Sequence, residues 1–336
     1  WQAAEMVMFG LDESADAIRQ HFYPLSFHFE GLQLADLGNL QAQTNDDALR
    51  EILALAVKQL LAAGKNVVML GGKNEDSYGQ LLGYEHFSEE IAYVHISNEL
   101  HFNEKSDINA RILKENQPCV SDFTHLGGQR YLIYPEELAQ LSKYHVTIFR
   151  YGELRENMME AEPALRDGNF ISFDLNSLRF SDTMGGCKNA MPSGFSTMEA
   201  AILGKYAGGG KKVKTFSLHG LETKNDTFQQ TAKSAATLLW YYVEGFTFHR
   251  EEFSNYSDNP HIERFEVPVN ASIEKIIFYH NPSEHSLRWW MEVPHDILAK
   301  NSAHSLIACT QKDYEQALSD EIPKRWWNAY ERLSEG

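Results

Sequence analysis

The sequence predicts an α/β protein in which one central, mostly parallel β-sheet lies between two layers of helices. Short β-like runs alternate with longer helical stretches from about Asn45 to Phe246, which is typical of a parallel sheet covered on both faces. The strand candidates are apolar throughout, as strands buried on both faces are. With 336 residues, 43% of them hydrophobic and 12% aromatic, the chain can fill one large core. We therefore predict a three-layer αβα sandwich.

The first helix of this alternation and the strand after it have clear end signals. Asn45 or Asp46 is a typical N-cap residue, and Gly64 is a typical residue at which a helix ends. The stretch Asn66–Leu70 then reads as a buried strand. Between the two helix ends, apolar residues recur at helical spacing, namely Leu49, Ile52, Leu53, Val57, Leu60 and Leu61.

The remaining elements of the sheet and its helices follow from the same periodicities. Strands are expected at 91–96, 124–127, 146–149, 170–175 and 213–218, and helices at 197–205 and 229–246.

The composition changes after Phe246, where a polar stretch precedes two segments with the letters RWW. We predict an α/β domain at 1–250 and a C-terminal extension at 251–336 that packs on it. Tryptophans beside Arg288 and Arg325 are residue types favoured in interfaces, and packing of the extension onto the first domain is the simpler interpretation. Because only two copies of the segment occur, chance explains their similarity better than duplication.

Charge and cysteine pattern restrict the partners and the location. A formal net charge of −17 at pH 7 repels a phosphate backbone, so nucleic acid is not expected as a partner. Cys119, Cys187 and Cys309 are widely spaced and form no CxxC pair, so neither a disulfide framework nor a zinc knuckle is suggested, and a reducing compartment fits best. No run of about 18 apolar residues occurs, so we expect no membrane span and a cytoplasmic protein. An unknown protein partner or a small-molecule ligand fits best, and a homo-oligomer stays open.

Polar segments follow the strand candidates at the carboxyl ends, where ligands gather in open parallel sheets. VVML precedes GGKNEDSYG, AYVHI precedes SNELHFN, FISFDLN precedes SLRFSD, and KTFSL precedes HGLETKND. This set, in this order, resembles the arginase/ureohydrolase superfamily and implies the arginase-like fold. The resemblance also includes FGLDES, DAIRQHFYPLS, LADLGNL and MPSGFSTMEAAIL. Two segments, SFDLNSLRFSD and RWWMEVP, look most similar to formimidoylglutamase-like proteins.

The resemblance implies two manganese ions bridged by a hydroxide that attacks a guanidino or formimino carbon. Two such ions lie about 3.5–4 Å apart and need several anionic ligands, which the family supplies as two histidines and four aspartates. The matching positions here are Asn74, Ser97, Glu99, His101, Asp174 and Asn176. Only Asp174 keeps the family's residue. Because two carboxylates replace four and Lys73 adds a cation, we expect no tightly held manganese pair.

Two hypotheses follow for this degenerate site. In the first, Lys73 replaces the metal and pairs with Glu99 or Asp174, which would tie neighbouring strands together. In the second, Glu99, His101 and Asp174 bind one Mn or Zn ion, since such ions accept oxygen and nitrogen ligands. The simpler interpretation of His101 is a hydrogen-bonded histidine at the rim of the sheet.

Four other polar residues have both a functional and a structural interpretation. Glu222 matches the family's substrate-facing carboxylate and is the ligand-binding candidate, with a solvated acid at a strand end as an equal alternative. Asp182 is expected to have a surface or capping role. His125 and His219 are expected to be structural histidines with satisfied hydrogen bonds.

Two classes of function stay open. We favour a catalytically inactive or altered ureohydrolase homologue with a binding or assembly role and no expected cofactor. The alternative is a formimidoylglutamase-type hydrolase of linear amidine C–N bonds that works with an atypical or single metal site. Metal content, measured together with activity on arginine, agmatine and formimidoylglutamate, separates the two.

Overall fold

The computed structural model describes residues 1–40, 46–84, 91–102, 108–115, 120–144, 146–248, 262–269, 275–282, 288–293 and 306–335. The chain forms two compact units, Trp1–Arg250 and Glu251–Gly336. Packing of the C-terminal extension onto the first domain stays a prediction. Asn45, considered as a helix cap, and Cys119 lie outside the described residues.

The first unit contains an eight-stranded sheet. Its strands are β1 (Met6–Gly10), β2 (Leu34–Asn39), β3 (Asn66–Leu70), β4 (Ile91–Ile96), β5 (Val120–Gly128), β6 (Thr147–Arg150), β7 (Phe170–Asp174) and β8 (Thr215–His219). Their spatial order is β2-β1-β3-β8-β7-β4-β5-β6, and every neighbouring pair is parallel. The predicted fold class is confirmed, although the alternation starts before Asn45, with β1 and β2.

Helices connect these strands. Their bounds are α1 (Glu13–Phe22), α2 (Asp46–Ala62), α3 (Asp76–Leu82), α4 (Ile108–Glu115), α5 (Pro135–Leu141), α6 (Tyr151–Glu156), α7 (Glu162–Asp167), α8 (Phe180–Thr183), α9 (Thr197–Gly208) and α10 (Gln230–Phe248). The chain turns at Gly64 as predicted: its φ is +69°, and the backbone N–H of Lys65 donates to the Leu60 carbonyl at 3.0 Å after the last turn of α2.

Both faces of the sheet are covered, because alternate residues of a strand point to opposite faces. Met6 and Met8 of β1 belong to a buried cluster that includes residues of α1, α9 and α10. Val7 and Phe9 belong to a second cluster, which includes Leu53 of α2. The chain therefore forms the three layers that the sequence predicts.

The second unit is a four-stranded antiparallel sheet with two helices. The elements are β9 (Glu263–Pro268), β10 (Lys275–Asn281), β11 (Arg288–Glu292), β12 (Leu306–Cys309), α11 (Gln311–Leu318) and α12 (Lys324–Glu335). Trp289 and Trp326 are buried in the unit's own core. One RWW segment lies in a strand and the other in a helix, so the two are not copies of one structural element.

None of the helices in the described part of the chain is long and apolar enough to cross a membrane.

Candidate functional site

The residues that the resemblance matches to metal ligands follow β3, β7 and β4, which end with β8 at the same edge of the sheet. The loops that follow these strands are joined by backbone hydrogen bonds. The N–H of Gly71 donates to the Leu218 carbonyl at 2.8 Å, and the N–H of Gly220 donates to the Gly72 carbonyl at 3.1 Å. Parallel neighbours thus bring together side chains that are far apart in the sequence.

Asp174 lies at the centre of this edge, and hydrogen-bond donors engage both of its carboxylate oxygens. Its Oδ1 accepts from the backbone N–H of Asn176 at 2.9 Å and from the Asn176 side-chain amide at 2.7 Å. Its Oδ2 accepts from the Ser97 hydroxyl at 3.3 Å. All three residues occupy positions where the resemblance implies metal ligands. We call Ser97, Asp174 and Asn176 the Asp174 cluster.

The neighbouring loop is tied to this cluster. The Oδ1 of Asn176 accepts from the backbone N–H of Asn189 at 2.8 Å, so the amide donates to Asp174 with one end and accepts from the loop with the other. The Asn98 side chain donates to the Asn189 carbonyl at 3.0 Å. Side-chain amides therefore cross-link the ends of β4 and β7 through residue Asn189.

Burial raises the pKa of the Asp174 carboxyl, because removal from water disfavours the charged form. The two hydrogen bonds from Asn176 oppose this effect, and the nearby charge of Glu99 adds to it. Among the described residues, the donors that are hydrogen-bonded to this carboxyl are all neutral.

Gly220 makes the close approach of β8 to the Asp174 cluster possible. Its φ is +91°, a conformation that residues with a Cβ rarely adopt. A Cβ at this position would lie 2.6 Å from the Asp174 Oδ1 and 2.9 Å from the Asn176 amide nitrogen. The Asp174 cluster in this arrangement therefore leaves no room for a side chain at position 220.

Glu99 and His101 form a separate pair on the loop after β4. The His101 Nε2 lies 2.9 Å from a Glu99 carboxylate oxygen, and its Nδ1 lies 3.8 Å from Glu137. The His101 side chain is 49% exposed and that of Glu99 is 24% exposed. We call these two residues the Glu99–His101 pair. This arrangement agrees with the simpler interpretation of His101, a hydrogen-bonded histidine at the rim of the sheet.

Lys73 does not form the predicted metal-replacing ion pair in the described structure. Its side chain is exposed, and no ion pair joins it to Glu99 or Asp174 among the described residues. Gly71 and Gly72 have φ values of +79° and +80°, and the Lys73 backbone N–H donates to Asp76 at 2.7 Å. Lys73 therefore lies on an exposed turn that the two glycines and the bond to Asp76 shape. The adjacent Asn74 has a buried side-chain oxygen without a hydrogen-bond partner in the described chain.

Two further predicted residues lie nearby. Glu222 is exposed and accepts from the Asn225 amide at 2.9 Å, so its ligand-binding role stays a prediction. Asp182 has the predicted capping role, because its Oδ2 accepts from the Thr197 backbone N–H at 2.7 Å at the start of α9. Burial opposes ionisation of Asp182, but hydrogen bonds from Arg179 and Thr197 outweigh it and lower the pKa.

Comparison with known proteins gives the chain a family. The profile of the Arginase family matches residues 7–244, which is more than half of the chain. The chain belongs to the arginase family. A search of curated proteins finds no match.

Solved structures of arginase-family proteins have the same fold. Trypanosoma cruzi formiminoglutamase, crystallised with Mn2+, is 21% identical and has a TM-score of 0.66, over 73% of this chain and 94% of that one. Bacillus subtilis formimidoylglutamase is 20% identical with a TM-score of 0.62, over 72% and 86%. Thermoplasma volcanium agmatine ureohydrolase is 17% identical with a TM-score of 0.61, over 75% and 93%. At these identities the similarity establishes the arginase-like fold.

The six residues that the resemblance matches to metal ligands do not fit a pair of manganese ions. They offer two carboxylates, one imidazole, two amides and one hydroxyl, and two adjacent dications need more negative charge than two carboxylates supply. Asp174 already accepts from Ser97 and Asn176. Within the described ranges, no group of three or more His, Cys, Asp or Glu side chains is arranged to hold a metal ion. Glu99, His101 and Asp174 therefore do not form a ready three-ligand site.

Sequence reasoning missed one polar group beneath this edge. His95, His125 and His219 are all buried, and His95 was not singled out because AYVHI reads as an ordinary apolar strand. Neither ring nitrogen of His125 has a hydrogen-bond partner among the described residues, so satisfied hydrogen bonds at this histidine stay a prediction. The signal available in the sequence was a histidine within or directly after three of the strand candidates.

Proposed function

We propose that this arginase-family protein does not carry out two-metal hydrolysis and that it has a binding or assembly role instead. The Asp174 cluster is the observation that carries the proposal. Asp174, the one retained ligand position, accepts from the Asn176 amide at 2.7 Å and from the Ser97 hydroxyl at 3.3 Å. Both neighbours occupy positions where the family has metal ligands, and here they donate hydrogen bonds.

The polarity of these neighbours supports the proposal. An amide N–H or a hydroxyl hydrogen carries partial positive charge, so donors aimed at Asp174 occupy the directions from which a cation would approach. A metal ion would have to displace the Asn176 amide and leave it without its partner in a buried site. Losing a buried hydrogen bond costs about 1–3 kcal/mol. Ser97 and Asn176 are neutral and would contribute little affinity for a dication.

The outer part of the rim supports a binding role. Glu222, Glu99 and His101 are partly or fully exposed, so these side chains can reach a ligand without breaking the Asp174 cluster. A small ligand with a positively charged group matches the two carboxylates. The proposal includes a cytoplasmic location, because three widely spaced cysteines do not suggest a disulfide framework.

The test is hydrolysis of formimidoylglutamate, arginine and agmatine by the purified full chain after loading with Mn2+ or Zn2+. Bacillus subtilis formimidoylglutamase, assayed in parallel, controls for the formimidoylglutamate assay, and Asp174→Ala controls for contaminating activity. We expect equal background rates for the chain and for Asp174→Ala. Metal-dependent turnover that Asp174→Ala abolishes would contradict the proposal and would support the formimidoylglutamase-type alternative.

A further inference from the structure

Three buried histidines lie on one face of the sheet, below the edge that carries the Asp174 cluster. His95 of β4 is paired in register with His125 of β5, and their ring centroids are 5.5 Å apart. The rings of His95 and His219 are stacked, with centroids 6.4 Å apart. All three side chains are at most 1% exposed. We call His95, His125 and His219 the histidine cluster.

Helix α3 covers this face of the sheet. The Ser77 hydroxyl lies 3.0 Å from the Ser172 hydroxyl, and the Tyr84 hydroxyl lies 2.9 Å from the Thr215 hydroxyl. Gln80 lies between Ser77 and Tyr84 at helical spacing, so its side chain leaves the helix on the same face. Gln80 is fully buried. A polar layer therefore separates α3 from the middle of the sheet.

The polar atoms of this layer are only partly paired. The His219 Nε2 lies 2.7 Å from the Ser172 hydroxyl. Six buried atoms have no hydrogen-bond partner in the described part of the chain: the Nδ1 of His95, the Nδ1 and Nε2 of His125, the Nδ1 of His219, and the Nε2 and Oε1 of Gln80. They come from four side chains on four different elements.

Each ring of the cluster needs both a donor and an acceptor as a partner. Burial lowers the pKa of His95 and His219 to about 3 and also lowers that of His125, so the rings are neutral at pH 7. A neutral imidazole has one N–H and one lone pair. Water can satisfy both, because it donates and accepts, whereas a cation satisfies only the lone pair. No metal-binding group of three or more such side chains occurs in the described ranges.

We propose that the histidine cluster and Gln80 bind ordered internal water molecules, which complete the hydrogen bonds of these side chains under the Asp174 cluster. Buried waters typically make about three hydrogen bonds to polar groups that lack a protein partner, and the unpaired atoms of this layer provide such partners. The site is separate from the metal positions and does not depend on the proposed function.

The first experiment compares His125→Gln with His125→Leu in the full chain, using thermal unfolding. The two replacements are similar in size and differ mainly in polarity, so the packing defect is matched. If water fills the layer, the amide of His125→Gln keeps a hydrogen bond and this variant melts at the higher temperature. If the layer is dry, His125→Leu removes two unpaired polar atoms and melts at the higher temperature, which would overturn the proposal.

The second experiment does not require either variant to fold. A high-resolution crystal structure of the full chain is expected to show water density within hydrogen-bonding distance of the His125 ring and of the Nδ1 of His95. A layer without water, in which these nitrogens contact only carbon atoms or are bonded to protein atoms, would overturn the proposal.

Discussion

The Asp174 cluster and the Glu99–His101 pair lie on the same edge of the sheet, yet they differ in burial and bonding. Ser97 and Glu99 are two residues apart on one loop, and the Glu99 N–H donates to the Ser97 hydroxyl at 3.3 Å. Asp174 is 8% exposed and hydrogen-bonded on both oxygens, whereas His101 is half exposed and lies within hydrogen-bonding distance of Glu99. Of the positions that the resemblance matches to metal ligands, some therefore form a buried, hydrogen-bonded cluster and others form an exposed pair.

The largest effect on stability is expected at Gly220, which lies against the buried Asp174 cluster. Gly220→Ala introduces a Cβ at a φ of +91° and 2.6 Å from Asp174 Oδ1, so we expect it to lower the free energy of unfolding by about 2–5 kcal/mol. Gly38→Ala is the matched control, because its φ is +74° and a Cβ there meets nothing within 4 Å. Urea denaturation measures both. Equal losses of unfolding free energy in the two variants would show that a Cβ at position 220 does not clash with the Asp174 cluster.

A somewhat smaller effect is expected from Asn176→Asp, which replaces a donor with a second carboxylate beside Asp174. Loss of the 2.7 Å hydrogen bond and charge repulsion should destabilise the metal-free protein by about 1–3 kcal/mol. Added Mn2+ should raise the melting temperature of this variant and not that of the wild-type protein. Asn176→Ala, which loses the amide without gaining charge, controls for metal binding elsewhere. An equal change in melting temperature on adding Mn2+ to all three proteins would contradict the claim that the Asn176 amide keeps the metal away from Asp174.

A pH-dependent effect should distinguish the buried carboxyl from the exposed pair. Because the pKa of Asp174 is raised above 3.8 in the folded protein, the folded state binds this proton more tightly than the unfolded chain. The stabilisation that this tighter proton binding provides is fully present below the pKa of the carboxyl in the unfolded chain. It is lost as the pH rises through the pKa of the carboxyl in the folded protein. The stability of the wild type relative to Asp174→Asn should therefore increase as the pH falls from about 7 to about 4. A relative stability that decreases over this range, measured by denaturation, would contradict the burial argument.

The smallest effect is expected at the exposed Glu99–His101 pair. His101→Ala removes a half-exposed side chain from a solvent-screened pair, so the free energy of unfolding should change by about 0.5 kcal/mol or less. The same urea denaturation measures it. A loss of more than about 1 kcal/mol would show that the pair is structural, and the contrast between the cluster and the pair would disappear.

Most of the sheet could be predicted from the sequence, because buried parallel strands are short continuous apolar runs. Strands such as Asn66–Leu70 and Ile91–Ile96 have the predicted bounds. The edge strand Leu34–Asn39 was not assigned, since it is only partly buried and LADLGN contains an aspartate, a glycine and an asparagine. A strand with one neighbour does not need the apolar composition that makes central strands recognisable.

The composition of the site was predictable, but its bonding was not. The strand ends indicated which side chains the resemblance matches to the family's ligands. They could not show that Asn176 folds back onto Asp174 or that Lys73 is exposed, because these outcomes depend on side-chain rotamers and on the turn at Gly71 and Gly72. The histidine cluster was missed for a related reason: register between β4 and β5 aligns His95 with His125, and register is not visible in a single strand.

The most direct test of the central claim is calorimetric titration of Mn2+ into the metal-free wild-type chain, with the bound metal per chain measured afterwards. The account predicts no saturable heat and much less than one bound manganese per chain, because Ser97 and Asn176 hold Asp174 through hydrogen bonds. Saturable binding of two manganese ions per chain, lost in Asp174→Ala, would contradict it.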